Sequence, residues 1–336
     1  MVDWTEGQWN KVKEAVKEEF AKASVASQFL LRYGPLPGSA EIVRNELLQP
    51  GGEVEGPPLR LDRDHDGINR KLVNLTVNVE LTSEQVADET LSNALLLFRR
   101  AGNILAQEED RIVFAGYRVG LGSADSKYVA NTVEAQRGLA DLPARRNFLP
   151  LDVPPLSGPN AEGQAVVGAV VAAISKLENN FNPGSFACVL GNRLFNAVHT
   201  PTPNLVLPAD RITPMLKGGP LLRSGMVDGN ASIANAGIGN AGIVVSQAGN
   251  TVDIVVGTEP TVQFLQRTQQ AKFWFRVYER FVLRIRDQSQ SPVAGFRISP
   301  TLRESEAERL ARRLAEQRQA ADKLIKAADK LTTEGS

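Results

Sequence analysis

Residues 273–287, FWFRVYERFVLRIRD, carry the clearest strand pattern in the chain. Apolar side chains alternate with side chains that are mostly basic. The apolar set is Phe273, Phe275, Val277, Phe281, Leu283 and Ile285, and the other set is Trp274, Arg276, Tyr278, Arg280, Arg284 and Arg286. Because successive side chains of a strand point to opposite faces, this stretch predicts a long strand with one face on a core and a charged second face.

A second alternating stretch runs from Leu72 to Leu81. Its apolar positions are Val73, Leu75, Val77, Val79 and Leu81. The pattern predicts an extended arm or hairpin. Its polar face offers few groups that could build a core of their own, so we expect this segment to pack against a neighbour.

Three longer stretches predict helices. From Thr5 to Tyr33, apolar residues recur every three or four positions. Thr82 and Gln85 form a capping-box pattern before an apolar stripe that continues to Ile112. Residues 165–177 are rich in alanine and valine at helical spacing.

Shorter elements complete a mixed pattern of helices and strands, which is the α+β class. Phe186–Leu190 predicts a buried strand, and Asn192 is expected to cap a short helix that ends near His199. Ile243–Ser246 and Val252–Gly257 predict the two strands of a hairpin.

The composition excludes several classes of protein. The 336 residues contain 38 Lys+Arg and 38 Asp+Glu, so the formal net charge is +0 and no polyanionic partner is indicated. No stretch approaches the roughly 20 apolar residues of a membrane span, and the start of the chain lacks an export-signal pattern. We therefore expect a soluble, cytoplasmic protein. The single cysteine, Cys188, lies in an apolar run, which favours a buried thiol and excludes an intramolecular disulfide.

Two ligand-binding motifs match as strings but fail in context. Residues 62–67 resemble the start of a calcium loop, yet the twelfth position is Val73 where the bidentate glutamate belongs. Residues 237–242 spell a dinucleotide fingerprint, but a predicted strand follows it where a helix is required. We expect neither a metal nor a cofactor.

The ionisable residues also favour structural roles. Glu108, Glu109 and Asp110 adjoin Arg111, a pattern that favours salt bridges at a helix end or a subunit contact over acid–base or metal chemistry. The arginines of residues 273–287 favour a solvated or intersubunit face over nucleic-acid binding. The two histidines do not lie in a nucleophile motif. No catalytic residue is predicted, and we expect the protein not to be an enzyme.

Three stretches, in this order and spacing, resemble the encapsulin family, also called linocin-like proteins. The first opens with residues 5–9 (TEGQW) and closes with Gln28-Phe29 and Gly34-Pro35. The second is residues 109–116 (EDRIVFAG). The third runs from residues 243–246 (IVVS) through 253–257 (DIVVG) to Phe281.

The resemblance implies the Hong Kong 97-type phage capsid fold and the function of a shell subunit. The implied parts are an N-terminal helical arm (1–39), an E-loop (40–81), a P-domain with the spine helix (82–164 and 258–298), an A-domain (165–257) and a C-terminal helical extension (299–336). Such a subunit self-assembles into an icosahedral nanocompartment that encloses a cargo protein. The alternative is the major capsid protein of a tailed phage or prophage.

The resemblance also implies two sites. Phe20, Ala23, Ser27 and Leu31 are expected to form a cargo-docking face on the N-terminal helix, less charged than in the family. Leu216, Lys217, Gly218 and Gly219 resemble its pore loop. The implied partners are further copies of this chain and a cargo protein with a targeting tail, without nucleic acid or membrane. Segments 118–136 and 224–242 look like insertions, and residues after 299 predict either a solvated helix or a coiled coil.

Overall fold

The computed structural model describes a large part of the first 298 residues. The described ranges are 2–44, 47–49, 60–62, 69–117, 128–130, 138–140, 161–202, 205–229, 241–286 and 292–298. Most of the calcium-like loop, of both apparent insertions and of the glycine string lie outside these ranges, as does the whole C-terminal extension. The predictions for those segments stay predictions.

Helices and strands occur largely in separate runs along the described chain, in agreement with the predicted α+β class. The helices are α1 (Glu6–Ala23), α2 (Ser83–Ala87), α3 (Ser92–Ala115), α4 (Ala161–Asn179), α5 (Asn192–Val198) and α6 (Pro208–Ile212). The strands are β1 (Leu31–Tyr33), β2 (Ile42–Arg44), β3 (Leu47–Gln49), β4 (Arg60–Asp62), β5 (Asn69–Lys71), β6 (Val73–Leu81), β7 (Phe186–Leu190), β8 (Leu221–Arg223), β9 (Ala241–Ser246), β10 (Val252–Arg267), β11 (Phe273–Ile285) and β12 (Val293–Arg297).

The predicted strand at 273–285 is the centre of the first sheet, whose order is β1-β10-β11-β6. β11 pairs antiparallel with β10 on one side and with β6 on the other. The alternating stretch 73–81 therefore finds its neighbour within the same chain. Its five apolar side chains are buried in the main core, beneath α1 and α3.

A second sheet, in the order β12-β9-β7-β8, packs against α4. Its core is separate from the first and also takes side chains from α5 and α6. β12 pairs with β9, so residues 293–297 join the sheet of the predicted A-domain although they fall within the segment predicted for the P-domain. The domain boundaries stay predictions.

The hairpin predicted from residues 243–257 is wrong. β9 pairs with β7 and β12, whereas β10 pairs with β1 and β11 in the other sheet. Both segments are nearly continuous buried apolar runs, and such runs do not encode which strand will be the partner.

The N-terminal helix ends at Ala23, ten residues earlier than predicted. Ser24 is extended, a one-turn 3₁₀ helix follows at Ala26–Gln28, and β1 then pairs in parallel with β10. The Asp110 carboxylate accepts hydrogen bonds from the backbone N–H groups of Val25 and Ala26, at 2.8 and 2.9 Å. This long-range acceptor binds N–H groups that a longer helix would have paired within itself.

The second predicted helix is divided in two. The capping box of Thr82 and Gln85 is present, but it opens only the short α2. The Asp88 side chain then accepts from the N–H groups of Thr90 and Ser92, and Leu91 takes a left-handed conformation before α3 begins. At the short helix further on, Asn192 is the first helical residue and Gly191 occupies the cap position, without a side-chain bond.

Candidate functional site

The four residues predicted to dock cargo do not share one helical face. Phe20 points into the core and is 3% exposed, and Ala23 is half-buried in the last turn of α1. Ser27 lies in the 3₁₀ turn, and Leu31, 51% exposed, lies on β1. The helical-face geometry was wrong because the helix ends before Ser27.

Ser27 and Leu31 nevertheless line one cavity of about 310 Å³. It lies beside the turn that follows α1, residues 24–30, which we call the arm turn. Apolar and polar groups alternate around it. The lining residues are Ser27, Gln28, Phe29, Leu30, Leu31, Val245, Ser246, Gln247 and Val252. The Gln247 side chain donates to the Phe29 carbonyl at 3.2 Å, which joins the arm to the end of β9. The cavity can accept a short side chain together with backbone polar groups.

A larger cavity of about 530 Å³ lies between α1 and β10. Lys13, Glu14, Lys17 and Glu259 are among its lining residues, and Lys17 pairs with Glu259 at 2.6 Å. None of the four predicted cargo residues lines it. Its charged walls differ from the apolar groove expected from the sequence.

Beneath the arm turn lies a group of charged and polar side chains, which we call the buried acid cluster: Ser24, Arg32, Glu109, Asp110 and Glu279. Arg32 on β1 donates to both carboxylate oxygens of Glu109 at 2.8 Å. Glu109 has a fully buried side chain, and the Arg32 side chain is 24% exposed. The same guanidinium donates to the Ser27 hydroxyl at 2.9 Å and lies 5.2 Å from the centre of the Phe20 ring.

Asp110, at the end of α3, holds the start of the arm turn. Besides the two backbone N–H groups, its carboxylate lies 3.3 Å from the Ser24 hydroxyl. Burial disfavours the charged form and raises the pKa of Asp110 to about 7, although the N–H groups of Val25 and Ala26 oppose this shift. Asp110 thus titrates near neutrality.

Glu279 is the least compensated member of the cluster. It lies on the core side of β11 and is fully buried, with its carboxylate 3.7 Å from the Arg32 guanidinium. Neither of its carboxylate oxygens accepts a hydrogen bond from the described residues. Burial, followed by the charge of Glu109, raises the pKa of Glu279 well above its ordinary value, with Arg32 only partly opposing the shift.

The sequence contains one local signal for this cluster. Glu279 interrupts the apolar side of the alternation in residues 273–285 at a position that must face the core. Of the acidic run at 108–110, only Glu108 makes the predicted pair with Arg111, at 2.9 Å. Glu109 and Asp110 turn inward to the arm. A local pattern cannot reveal this because Arg32 lies 77 residues away from Glu109.

The predicted pore loop follows a 3₁₀ turn that ends at Leu216. Lys217 and Gly218 both have positive φ angles, of 51° and 90°. The Lys217 ammonium pairs with Glu178 at 2.8 Å. A side chain on Gly218 would meet open space, whereas one on Gly219 would press on the Phe186 carbonyl of β7. Gly218 and Gly219 therefore have different structural roles, although the sequence predicts the same role for both.

The basic face of β11 makes contacts within the chain. Arg280 donates to the carbonyls of Gly38 and Ala40, and Arg284 and Arg286 pair with the buried Asp253 at 2.5 and 3.2 Å. Arg280 thus holds residues 38–40 against β11, and Arg284 and Arg286 hold Asp253 of the neighbouring strand β10. The sequence favours a basic face that is solvated or contacts another subunit, and neither of these alternatives accounts for the pairs formed within the chain.

Among the described residues, no group of three or more His, Cys, Asp or Glu side chains is arranged to hold a metal ion. Cys188 is buried on β7, and burial raises the pKa of its thiol, as expected for an unreactive cysteine. A search of the described helices for one long and apolar enough to cross a membrane found none.

Comparison with known proteins gives a family match for part of the chain and structural matches over most of it. Residues 152–282 match the model of a protein family described as "encapsulating protein for peroxidase". The virus-like particle protein of Pyrococcus furiosus superposes with a TM-score of 0.59 at 14% identity, covering 87% of this chain and 100% of its own. Comparison with curated proteins gave no match.

Phage proteins superpose less closely. The protein of Microbacterium phage Oxtober96 gives a TM-score of 0.53 at 11% identity, over 82% of this chain and 91% of the other. That of Mycobacterium phage Che8 gives 0.51 at 11% identity, over 81% and 90%. At these identities the superpositions establish the fold. The encapsulin resemblance is thereby confirmed, and the chain has the Hong Kong 97-type capsid fold, with a segment that matches the encapsulating-protein family.

Proposed function

We propose that this protein is a shell subunit that self-assembles into a closed icosahedral nanocompartment in the cytoplasm and encloses a cargo protein. The observation that carries the proposal is the match of residues 152–282 to the encapsulating-protein family, within a fold that superposes on a virus-like particle protein over 87% of the chain. A structural rather than catalytic role agrees with the family description.

Exposed apolar side chains support a subunit that is completed by neighbours. Leu96, Phe181 and Leu205 are 66%, 80% and 85% exposed. Isolated apolar residues are common on protein surfaces. In a shell, however, neighbouring subunits would cover these side chains, because obligate interfaces commonly bury more than about 2,000 Å² in total. Size-exclusion chromatography with light scattering tests the proposal. We expect a megadalton particle, and a monomer or dimer at micromolar concentration would contradict it.

The second candidate is the major capsid protein of a tailed phage or prophage, which the superpositions on phage proteins favour. The contents of purified particles separate the two functions. A nanocompartment contains a defined protein, whereas a viral capsid is filled with double-stranded DNA. Mass spectrometry and the ratio of absorbance at 260 and 280 nm distinguish these contents.

We further propose that the tail of the cargo protein docks in the cavity lined by Ser27 and Leu31. Leu31 offers an exposed apolar surface at its rim, and Ser27 and Gln247 offer polar groups. Phe20 and Ala23 support the turn from beneath, so they would shape the cavity without contacting the peptide.

Leu31→Lys is expected to lower cargo loading severalfold while the shell still assembles. The substitution places a charge at an apolar contact, and burying a charge without a partner is costly. Loading is measured by mass spectrometry of co-purified protein. Ile42→Lys on β2 is the control, because Ile42 is 50% exposed and does not line the cavity. Equal loading in Leu31→Lys and wild-type shells would reject the cavity as the docking site.

We also propose that Leu216–Gly219 lines a pore at a symmetry axis. In this arrangement the Lys217 ammonium, which is paired with Glu178, would set the charge at the opening. A density map that places the loop away from every symmetry axis would reject this assignment.

The two pore-loop glycines are expected to respond differently to the same substitution. Gly219→Ala should lower the melting temperature by several degrees, because the new Cβ meets the Phe186 carbonyl. Gly218→Ala should have a smaller effect, limited to the strain of a positive φ, roughly 1–2 kcal/mol. Differential scanning fluorimetry compares them. Equal melting temperatures for the two variants would contradict the loop geometry.

A further inference from the structure

The buried acid cluster joins three separate parts of the chain by charged and polar contacts. Arg32 comes from the arm, Glu109 and Asp110 from the end of α3, and Glu279 from β11. α1 itself is held differently, because Val12, Val16 and Phe20 pack into the apolar core. Residues 24–33 also place Ala26, Phe29 and Leu30 in this core and pair β1 with β10, and the cluster adds to them polar contacts that α1 does not have.

The charges of the cluster do not balance when every group is ionised. The Arg32 guanidinium faces two carboxyl groups, those of Glu109 and Glu279, and the buried Asp110 adds a third acid beside them. Glu279 accepts no hydrogen bond from the described residues. Glu259 on β10 also interacts electrostatically with Arg32, but it is paired with Lys17. Glu108, the preceding acid on α3, is paired with Arg111. A buried site of this kind favours the state in which a carboxyl group keeps its proton.

We propose that the buried acid cluster is a proton-dependent latch, which holds residues 24–33 against α3 and β11 at acidic and neutral pH and releases them as the pH rises. Loss of a proton to solvent leaves an uncompensated negative charge under the turn. The closed arm then becomes less favourable than an open arm in which the carboxylates are hydrated.

The direction of the effect follows from the two titrating groups. Burial raises the pKa of Asp110 to about 7 and that of Glu279 well above its ordinary value, so the closed state holds protons that exposed carboxyl groups lose above about pH 4. The closed arm is therefore most favoured at low pH. It loses stability as the pH rises through the closed-state pKa of Asp110 and towards that of Glu279.

The released segment contains Ser27 and Leu31, which line the 310 Å³ cavity. If the proposed function holds, alkaline conditions would also weaken cargo docking. That consequence rests on the proposed function, whereas the latch does not, because its contacts lie within one chain.

Hydrogen–deuterium exchange of the full-length protein tests the latch without any cargo. Protection of residues 25–33 is measured at about pH 5.5, 7 and 8.5 and corrected for intrinsic exchange, with residues 165–177 of α4 as internal reference. We expect protection of the arm to fall at least about tenfold across this range. If opening of the arm releases one proton, the opening equilibrium can change by up to about tenfold per pH unit. The α4 segment should change little.

Asp110→Asn supplies the decisive variant, because Asp110 loses its proton within this pH range and a neutral amide keeps the shape of the protonated acid. It should hold the arm closed at high pH, whereas the control Glu108→Gln should retain the wild-type profile. If Asp110→Asn does not fold, Glu279→Gln takes its place. Arm protection that is independent of pH in the wild type would overturn the latch. A wild-type profile in both Glu279→Gln and Asp110→Asn would overturn it as well.

Discussion

Arg32→Met is expected to destabilise the protein by about 3–5 kcal/mol at neutral pH, as is usual when one partner of a buried ion pair is removed. Arg32 donates two hydrogen bonds to Glu109, whose side chain is fully buried, and also lies within ion-pair distance of Glu279. Methionine fills most of the space but leaves both carboxyl groups without their cation. The midpoint of guanidinium unfolding measures the change.

Arg100→Met provides the matched control. Arg100 lies on the exposed face of α3, so its replacement should stay within about 0.5 kcal/mol of the wild type. A midpoint for Arg32→Met as high as that of Arg100→Met would mean that the ion pair does not hold the arm.

Phe275→Ala is expected to cost about 3–5 kcal/mol, the usual range for a buried phenylalanine. Phe275 is fully buried at the centre of an aromatic group. Its ring is stacked on Trp4 at a centroid distance of 5.0 Å and meets Phe98 and Phe264 edge-on, each at 5.4 Å. The substitution therefore leaves a cavity where the N-terminal segment, α3 and two strands meet.

Phe181→Ala makes the comparison informative. Phe181 is 80% exposed, so its loss should leave the internal packing of the subunit intact, and any effect through a contact between subunits should stay well below that of Phe275→Ala. Thermal melting of both variants checks the prediction. If the two substitutions lowered the melting temperature equally, the position of Phe275 at the centre of the first core would be wrong.

The strands with strict alternation could be predicted from sequence because one face of each is buried. Residues 273–285 and 73–81 became β11 and β6, and their apolar positions entered the core as expected. Their pairing with each other was not predicted. Alternation fixes which face is inside but leaves the partner open when nearly 200 residues separate the two strands.

The ends of helices were predicted less well than their existence. Amphipathic spacing located α1, α3 and α4, yet α1 ends early because Asp110 binds the N–H groups of Val25 and Ala26. α3 begins late because Asp88 binds those of Thr90 and Ser92. The start of α3 depends on a local residue, Asp88, and could have been recognised from the sequence. The end of α1 depends on Asp110, which lies 85 positions away from Val25.

The candidate site shows the same limit. Sequence spacing assumed a single helix through Leu31, so it placed Phe20 on a surface that is in fact core. Ser27 and Leu31 came together in one cavity for a different reason, the turn that the buried acid cluster stabilises. The resemblance located the right region, and the long-range polar contacts determined its shape.

Electron microscopy of the purified protein tests the central claim most directly. We expect negatively stained particles that are closed, hollow and uniform in diameter, with icosahedral symmetry in class averages and protein rather than DNA inside. Monomers, open sheets or irregular aggregates at micromolar concentration would contradict the proposal that this chain is a shell subunit.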